Sequence, residues 1–126
     1  YGELHALKKI KNISIGQFGK SCFITKPTAN DICLARSGLR KIKEIIKKRS
    51  SSVVILDEVN IALKLKLISL KELLALIKST PRNIELVLTG RYAPTAIIKA
   101  ADLVSEIKEV KHYYNKGTKS RKGLEF

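Results

Sequence analysis

The chain has 126 residues, 44% of them hydrophobic, and 25 Lys and Arg stand against 11 Asp and Glu for a net charge of +14. That length suits one domain burying roughly two-thirds of its unfolded surface, and no apolar run approaches the ~20 residues of a membrane-spanning helix. The charge points either to an anionic partner such as nucleic acid or phosphates, or to a lysine-rich solvated surface, and composition leaves both open. Two cysteines, Cys22 and Cys33, form neither a CxxC pair nor a disulfide framework. They read as buried, reduced thiols in a cytoplasmic setting, with a disulfide between the two as the alternative.

In chain order, Ile13, Ile15 and Phe18 predict a short strand ending near Gly16–Gly19. After Pro27, the stretch Thr28-Ala29-Asn30-Asp31 predicts a capping box that opens a helix. Ile32, Ala35, Leu39, Ile42 and Ile46 then recur at spacings of three and four, one helical face running to about Lys48. Residues 50–52, all serine, break it. The β-branched run 53–56 predicts a strand buried on both faces of a parallel sheet. A short helix is expected over residues 60–67, and Ser69-Leu70-Lys71-Glu72 caps a further helix that Pro81 closes. Residues 84–88 predict a second buried strand, Pro94 suits the first turn of a helix to Ala101, and residues 103–110 predict a last strand. Residues 111–126 read as a basic, glycine-punctuated tail on a single α/β domain covering 1–126.

Strands alternating with helices imply a parallel α/β sheet, because parallel strands need crossovers. Ligands in such sheets bind beyond the carboxyl ends of the strands. Those ends carry residues 16–21, Asp57-Glu58 and Thr89-Gly90-Arg91.

The string "GQFGKS" at residues 16–21 ends as a phosphate-binding loop does. The full pattern G-x-x-x-x-G-K-[ST] fails, since Ser14 stands where the first glycine belongs. The following Cys22, Phe23, Ile24, Thr25 and Pro27 start no helix to face phosphates. "VVILDE" at 53–58 is a better signal. An apolar strand ending in two carboxylates matches the Walker B pattern, in which an acid holds or orients hydrated Mg²⁺. Its bland alternative is an ordinary acidic strand end. His5 and His112 lack the spacing of metal or acid–base pairs and read as structural. Tyr113 and Tyr114 read as packing residues.

Together, "YGEL", "QFGKSCFI", "VVILDEVNIAL", "VLTGRYAP", "AADLVSEIKEVKHYYNKG" and "KGLEF" resemble the ATP:corrinoid adenosyltransferases of the CobA/BtuR type, in order and over essentially the whole chain. The resemblance implies a RecA-like P-loop fold, a three-layer parallel sheet with helices on both faces, in a homodimer. It implies transfer of the 5′-deoxyadenosyl group of ATP to cob(I)alamin in cobalamin synthesis, with Mg²⁺ and an electron-donor protein as further partners. On this basis Glu58 matches the magnesium-associated glutamate and Arg91 an arginine at the active-site rim. Asp57, Thr89 and Gly90 fall on the same cofactor-binding edge, and Phe23 falls where relatives place aromatic residues against the corrinoid. The family's glycine-rich P-loop lies ahead of the segment that Tyr1-Gly2-Glu3 resembles. With that motif and every methionine absent from these residues, the chain reads as an amino-terminally truncated, carboxy-terminal part of such an enzyme. The competing expectation is a basic nucleic-acid-binding α/β module without catalytic activity, whose affinity would fall steeply with salt.

Overall fold

A computed structural model describes residues 2–19 and 24–121. In chain order the elements are α1 (Gly2–Leu7), α2 (Ala29–Lys48), β1 (Val53–Leu56), α3 (Val59–Lys64), α4 (Leu70–Ser79), β2 (Glu85–Leu88), α5 (Thr95–Ala100) and a 3-10 turn at Tyr113–Lys116. They fall into two compact units, one of Gln17–Leu103 and one combining Tyr1–Gly16 with Val104–Phe126. The α/β character expected of all 126 residues is carried by the first.

Within that unit α2 starts as its sequence requires. The Thr28 N–H and hydroxyl both donate to Asp31 Oδ2, at 2.8 and 2.6 Å, and the Asp31 N–H donates back to Thr28 Oγ1 at 3.3 Å. This reciprocal box satisfies amides that a helix start leaves without intrahelical partners. The helix ends at Arg49, whose left-handed backbone (φ 50°) turns its N–H onto the carbonyls of Ile45 and Ile46. Leu39 and Ile46 are buried from its apolar face, with Ala35, Ile42 and Ile45 packed beside them.

The two strands pair in parallel, Val53 opposite Glu85 through Leu56 opposite Leu88, with α3 and α4 forming the crossover. The core gathers Val54, Val59, Leu63, Ile68, Leu73, Leu76, Ile84 and Ile97 around the α2 face, and Leu73 and Leu76 are the most enclosed. Pro94 sits one position earlier than expected. It is the N-cap of α5 in extended conformation, and its carbonyl accepts the N–H groups of Ile97 and Ile98.

Three expectations need correction. The strands are not buried on both faces among the described residues: Val54, Leu56, Leu86 and Leu88 join the core, whereas Val53, Ile55 and Val87 are 52, 60 and 40% exposed. Pleating sends alternate side chains to opposite faces, and the core helices meet one face. The segments around residues 13–18 and 103–110 form no strand. A strand needs a neighbour for its N–H and C=O groups, and the sheet of the described residues contains β1 and β2 alone. Finally, Cys33 is an exposed thiol on α2, because it lies off the apolar stripe; Cys22 is outside the described residues.

In the other unit, His112 caps the 3-10 turn by accepting the Tyr114 N–H on Nδ1 at 3.0 Å, and its ring lies 4.7 Å from that of Tyr113. Arg121 stands 4.9 Å over the Tyr113 ring. His112 and Tyr113 shape this turn locally, but Tyr113 and Tyr114, expected as packing residues, are 41 and 69% exposed.

Candidate functional site

Parallel pairing places the carboxyl ends of β1 and β2 side by side, so the residues just beyond Leu56 and Leu88 meet. Thr89 joins them. Its N–H donates to the Leu56 carbonyl at 3.1 Å, and its carbonyl accepts the Asn60 N–H at 3.2 Å. Its hydroxyl donates to Asp57 Oδ1 at 2.6 Å and accepts the Glu58 N–H at 2.9 Å. One threonine thus holds the strand end, both acids and the first turn of α3.

The backbone here is unusual. Glu58 is the N-cap of α3 in left-handed conformation (φ 56°, ψ 22°) and makes no side-chain cap bond. Tyr92 is also left-handed, at φ 65°. Such a conformation costs a non-glycine residue ~1–2 kcal/mol, so the surrounding bonds must hold it. Gly90, at φ +117°, supplies the freedom that a side chain would deny. A Cβ there would sit 3.3 Å from Glu58 Oε2, from the Glu58 Cα and from Asn60 Cβ. The absence of that atom leaves room immediately beside the Glu58 carboxylate.

Asp57, Glu58 and Arg91 are exposed, while Thr89 is half-buried. Arg91 follows Gly90 directly, on the same edge as the two acids, where its planar guanidinium suits phosphate or carboxylate oxygens. Lys64 Nζ lies 3.1 Å from the centroid of the Tyr92 ring, a cation–π contact that ties the end of α3 to the turn after Arg91. Asn60, only 5% exposed, keeps Oδ1 without a hydrogen-bond partner among the described residues. Sequence reasoning passed over Asn60, Lys64 and Tyr92. The available signal was a carboxamide between the buried apolar positions Val59 and Leu63, directly after an acidic strand end.

The structure brings together Asp57, Glu58, Thr89 and Gly90, with Arg91 next along the chain. It does not test Phe23, which lies outside the described residues along with Lys20 and Ser21. Residues 24–28 are not helical and α2 begins only at Ala29. Whether a helix starts directly after Gly19 falls on residues 20–23, outside the described residues.

Two carboxylates are a partial donor set, and no cluster of three or more His, Cys, Asp or Glu occurs among the described residues. Magnesium is commonly held by one or two carboxylates, with waters and substrate phosphates completing its shell. An exposed Asp57-Glu58 pair beside the gap over Gly90 fits that mode and not an all-protein cage.

Across residues 1–126 the sequence matches the family described as ATP:corrinoid adenosyltransferase BtuR/CobO/CobP. The chain belongs to that family. A corrinoid adenosyltransferase from Sinorhizobium sp is 39% identical over 103 residues, which cover 81% of this chain and 48% of the relative. One from Pseudomonas aeruginosa is 37% identical over 102 residues, covering 81% and 50%. One from Escherichia coli strain K12 is 26% identical over 102 residues, covering 81% and 52%. The chain thus spans about half the length of the curated relatives it matches. No helix among its described residues is long and apolar enough to cross a membrane.

Proposed function

We propose that the protein carrying this chain transfers the 5′-deoxyadenosyl group of ATP to the cobalt of cob(I)alamin or a related corrinoid, in adenosylcobalamin synthesis. The family match over all 126 residues carries this reading, and it does not favour the nucleic-acid-binding alternative. In the reaction, the electron pair on cobalt(I) forms a bond to the ribose 5′ carbon. The bond from that carbon to oxygen breaks, and inorganic triphosphate leaves with the electrons.

The chain's own residues take these roles. Glu58, with Asp57 beside it, would hold Mg²⁺, which when bound supplies positive charge against the departing triphosphate. Arg91 reaches toward phosphate or corrinoid oxygens from the same edge, and Gly90 keeps the approach to Glu58 open. Phe23 is proposed to lie against the corrinoid. The phosphate cradle of a RecA-like P-loop fold would have to come from outside these 126 residues, since they contain no G-x-x-x-x-G-K-[ST]. The same whole-protein reading places the enzyme in the cytoplasm as a homodimer, with an electron-donor protein reducing the cobalt.

Anaerobic adenosylation by the complete gene product tests this. Glu58→Gln is expected to fold normally and lose transfer by at least ~100-fold, in line with loss of one charge-stabilising group. Turnover equal to the unsubstituted protein, with magnesium present, would remove Glu58 from the mechanism. Absence of adenosylated corrinoid from the unsubstituted protein would remove the function.

A further inference from the structure

We propose that Thr89 is a positioning residue that decides which of the two adjacent acids is free to bind a cation. Its hydroxyl tethers Asp57 and holds the Glu58 backbone. This rests on the reading of Glu58 as the metal-associated carboxylate and goes beyond it, by assigning the geometry of that carboxylate to a residue of the neighbouring strand.

The hydroxyl has one proton and accepts through its lone pairs. The proton is committed to Asp57 Oδ1 at 2.6 Å, and a lone pair accepts the Glu58 N–H at 2.9 Å. Asp57 therefore has one carboxylate oxygen engaged and its orientation set. Glu58 is held by its backbone alone, and no hydrogen bond to its side chain occurs among the described residues. That backbone hold matters because Glu58 is in the left-handed region, a state needing external support. The further bonds from Thr89 N–H to Leu56 and from Asn60 N–H to the Thr89 carbonyl leave the threonine little freedom of its own. The result points Glu58 Oε2 to within 3.3 Å of the Cβ site missing at Gly90. The carboxylate is thus placed by a partner 31 residues away in sequence.

The test uses the complete gene product with Mn²⁺ as the probe metal, and compares Thr89→Val, Thr89→Ser and Glu58→Gln. Valine keeps the shape and removes the hydroxyl; serine keeps the hydroxyl. Exchange of the Glu58 amide hydrogen is expected to be about tenfold faster in Thr89→Val and unchanged in Thr89→Ser. Mn²⁺ affinity, followed by electron paramagnetic resonance, is expected to fall ~10–100-fold in Thr89→Val, the usual effect of losing an outer-shell partner, and to stay within about threefold in Thr89→Ser. Adding Thr89→Val to Glu58→Gln should weaken Mn²⁺ no further, because the carboxylate it positions is gone. Unchanged Glu58 amide exchange in Thr89→Val, or serine as harmful as valine, would overturn the positioning role. If Glu58→Gln binds Mn²⁺ like the unsubstituted protein, the metal assignment itself fails, and the amide exchange still decides whether Thr89 holds Glu58.

Discussion

Gly38 lies in the middle of α2, where glycine costs ~1 kcal/mol relative to alanine. Its reason is a neighbour. A Cβ at this position would stand 2.8 Å from Phe18 Cγ and 3.0 Å from Phe18 Cβ. Gly38→Ala is therefore expected to destabilise the protein by about 1–3 kcal/mol through overpacking, against the propensity gain. Urea unfolding checks this: an increase in stability would mean that Phe18 does not rest on α2. The same kind of neighbour dependence limited what could be read of the candidate site. Asp57 and Glu58 were legible because an apolar strand ending in acids is a local pattern. Asn60 was not, since its burial beside Gly90 depends on a turn in another part of the chain.

Two helices of the Gln17–Leu103 unit, α2 and α4, start on local capping boxes and can be tested one at a time. Ser69 caps α4: its N–H and hydroxyl donate to Glu72 Oε2 at 2.9 and 2.6 Å, and the Glu72 N–H donates to Ser69 Oγ at 3.2 Å. Ser69→Ala is expected to cost about 1 kcal/mol, measurable by thermal or urea unfolding. The same bonds carry a pH dependence. The Ser69 hydroxyl and N–H hold the Glu72 carboxyl below its usual range, with smaller help from Arg36 and Lys43. In acid the unfolded chain then binds the Glu72 proton more readily than the folded one, so stability rises with pH there. This contribution is complete above the ordinary glutamate range and is lost as pH falls through the lowered value. Ser69→Ala should flatten that part of the stability profile, and an unchanged profile would show the box to be energetically silent. Sequence succeeded with α2 and α4 because cap and helix lie within a few residues. It failed at residues 13–18 and 103–110, where apolar residues are present but no paired strand is described.

At the scale of the molecule, charge and fold pull apart. A net charge of +14 attracts nucleotides from a distance, yet that attraction is screened within ~8 Å at physiological salt. Tight triphosphate binding needs successive backbone amides, a helix start and a lysine, and these 126 residues lack the motif that supplies them. The 126-residue chain on its own is therefore expected to bind Mg·ATP no better than roughly millimolar, in a salt-sensitive way, and to form no adenosylated corrinoid. Calorimetry at two salt concentrations with an anaerobic assay checks this. Salt-resistant low-micromolar binding, or steady turnover, would show a phosphate site within these residues.

The sequence alone determined the helices of the compact unit, the two apolar strands and their parallel sense, the acidic strand end and the family. The structural features among these are written in contacts between near neighbours or in side-chain periodicity, and the family in the resemblance of its motifs. Tertiary structure decided which face of the sheet is covered, leaving Val53, Ile55 and Val87 exposed, and which acid is tethered. It also decided how Glu58 is held in a left-handed conformation. The physical reason is range: the hydroxyl that engages Asp57 and the Glu58 amide comes from Thr89, 32 and 31 residues along the chain. No local pattern around "VVILDE" encodes a partner at that distance until β2 is laid beside β1.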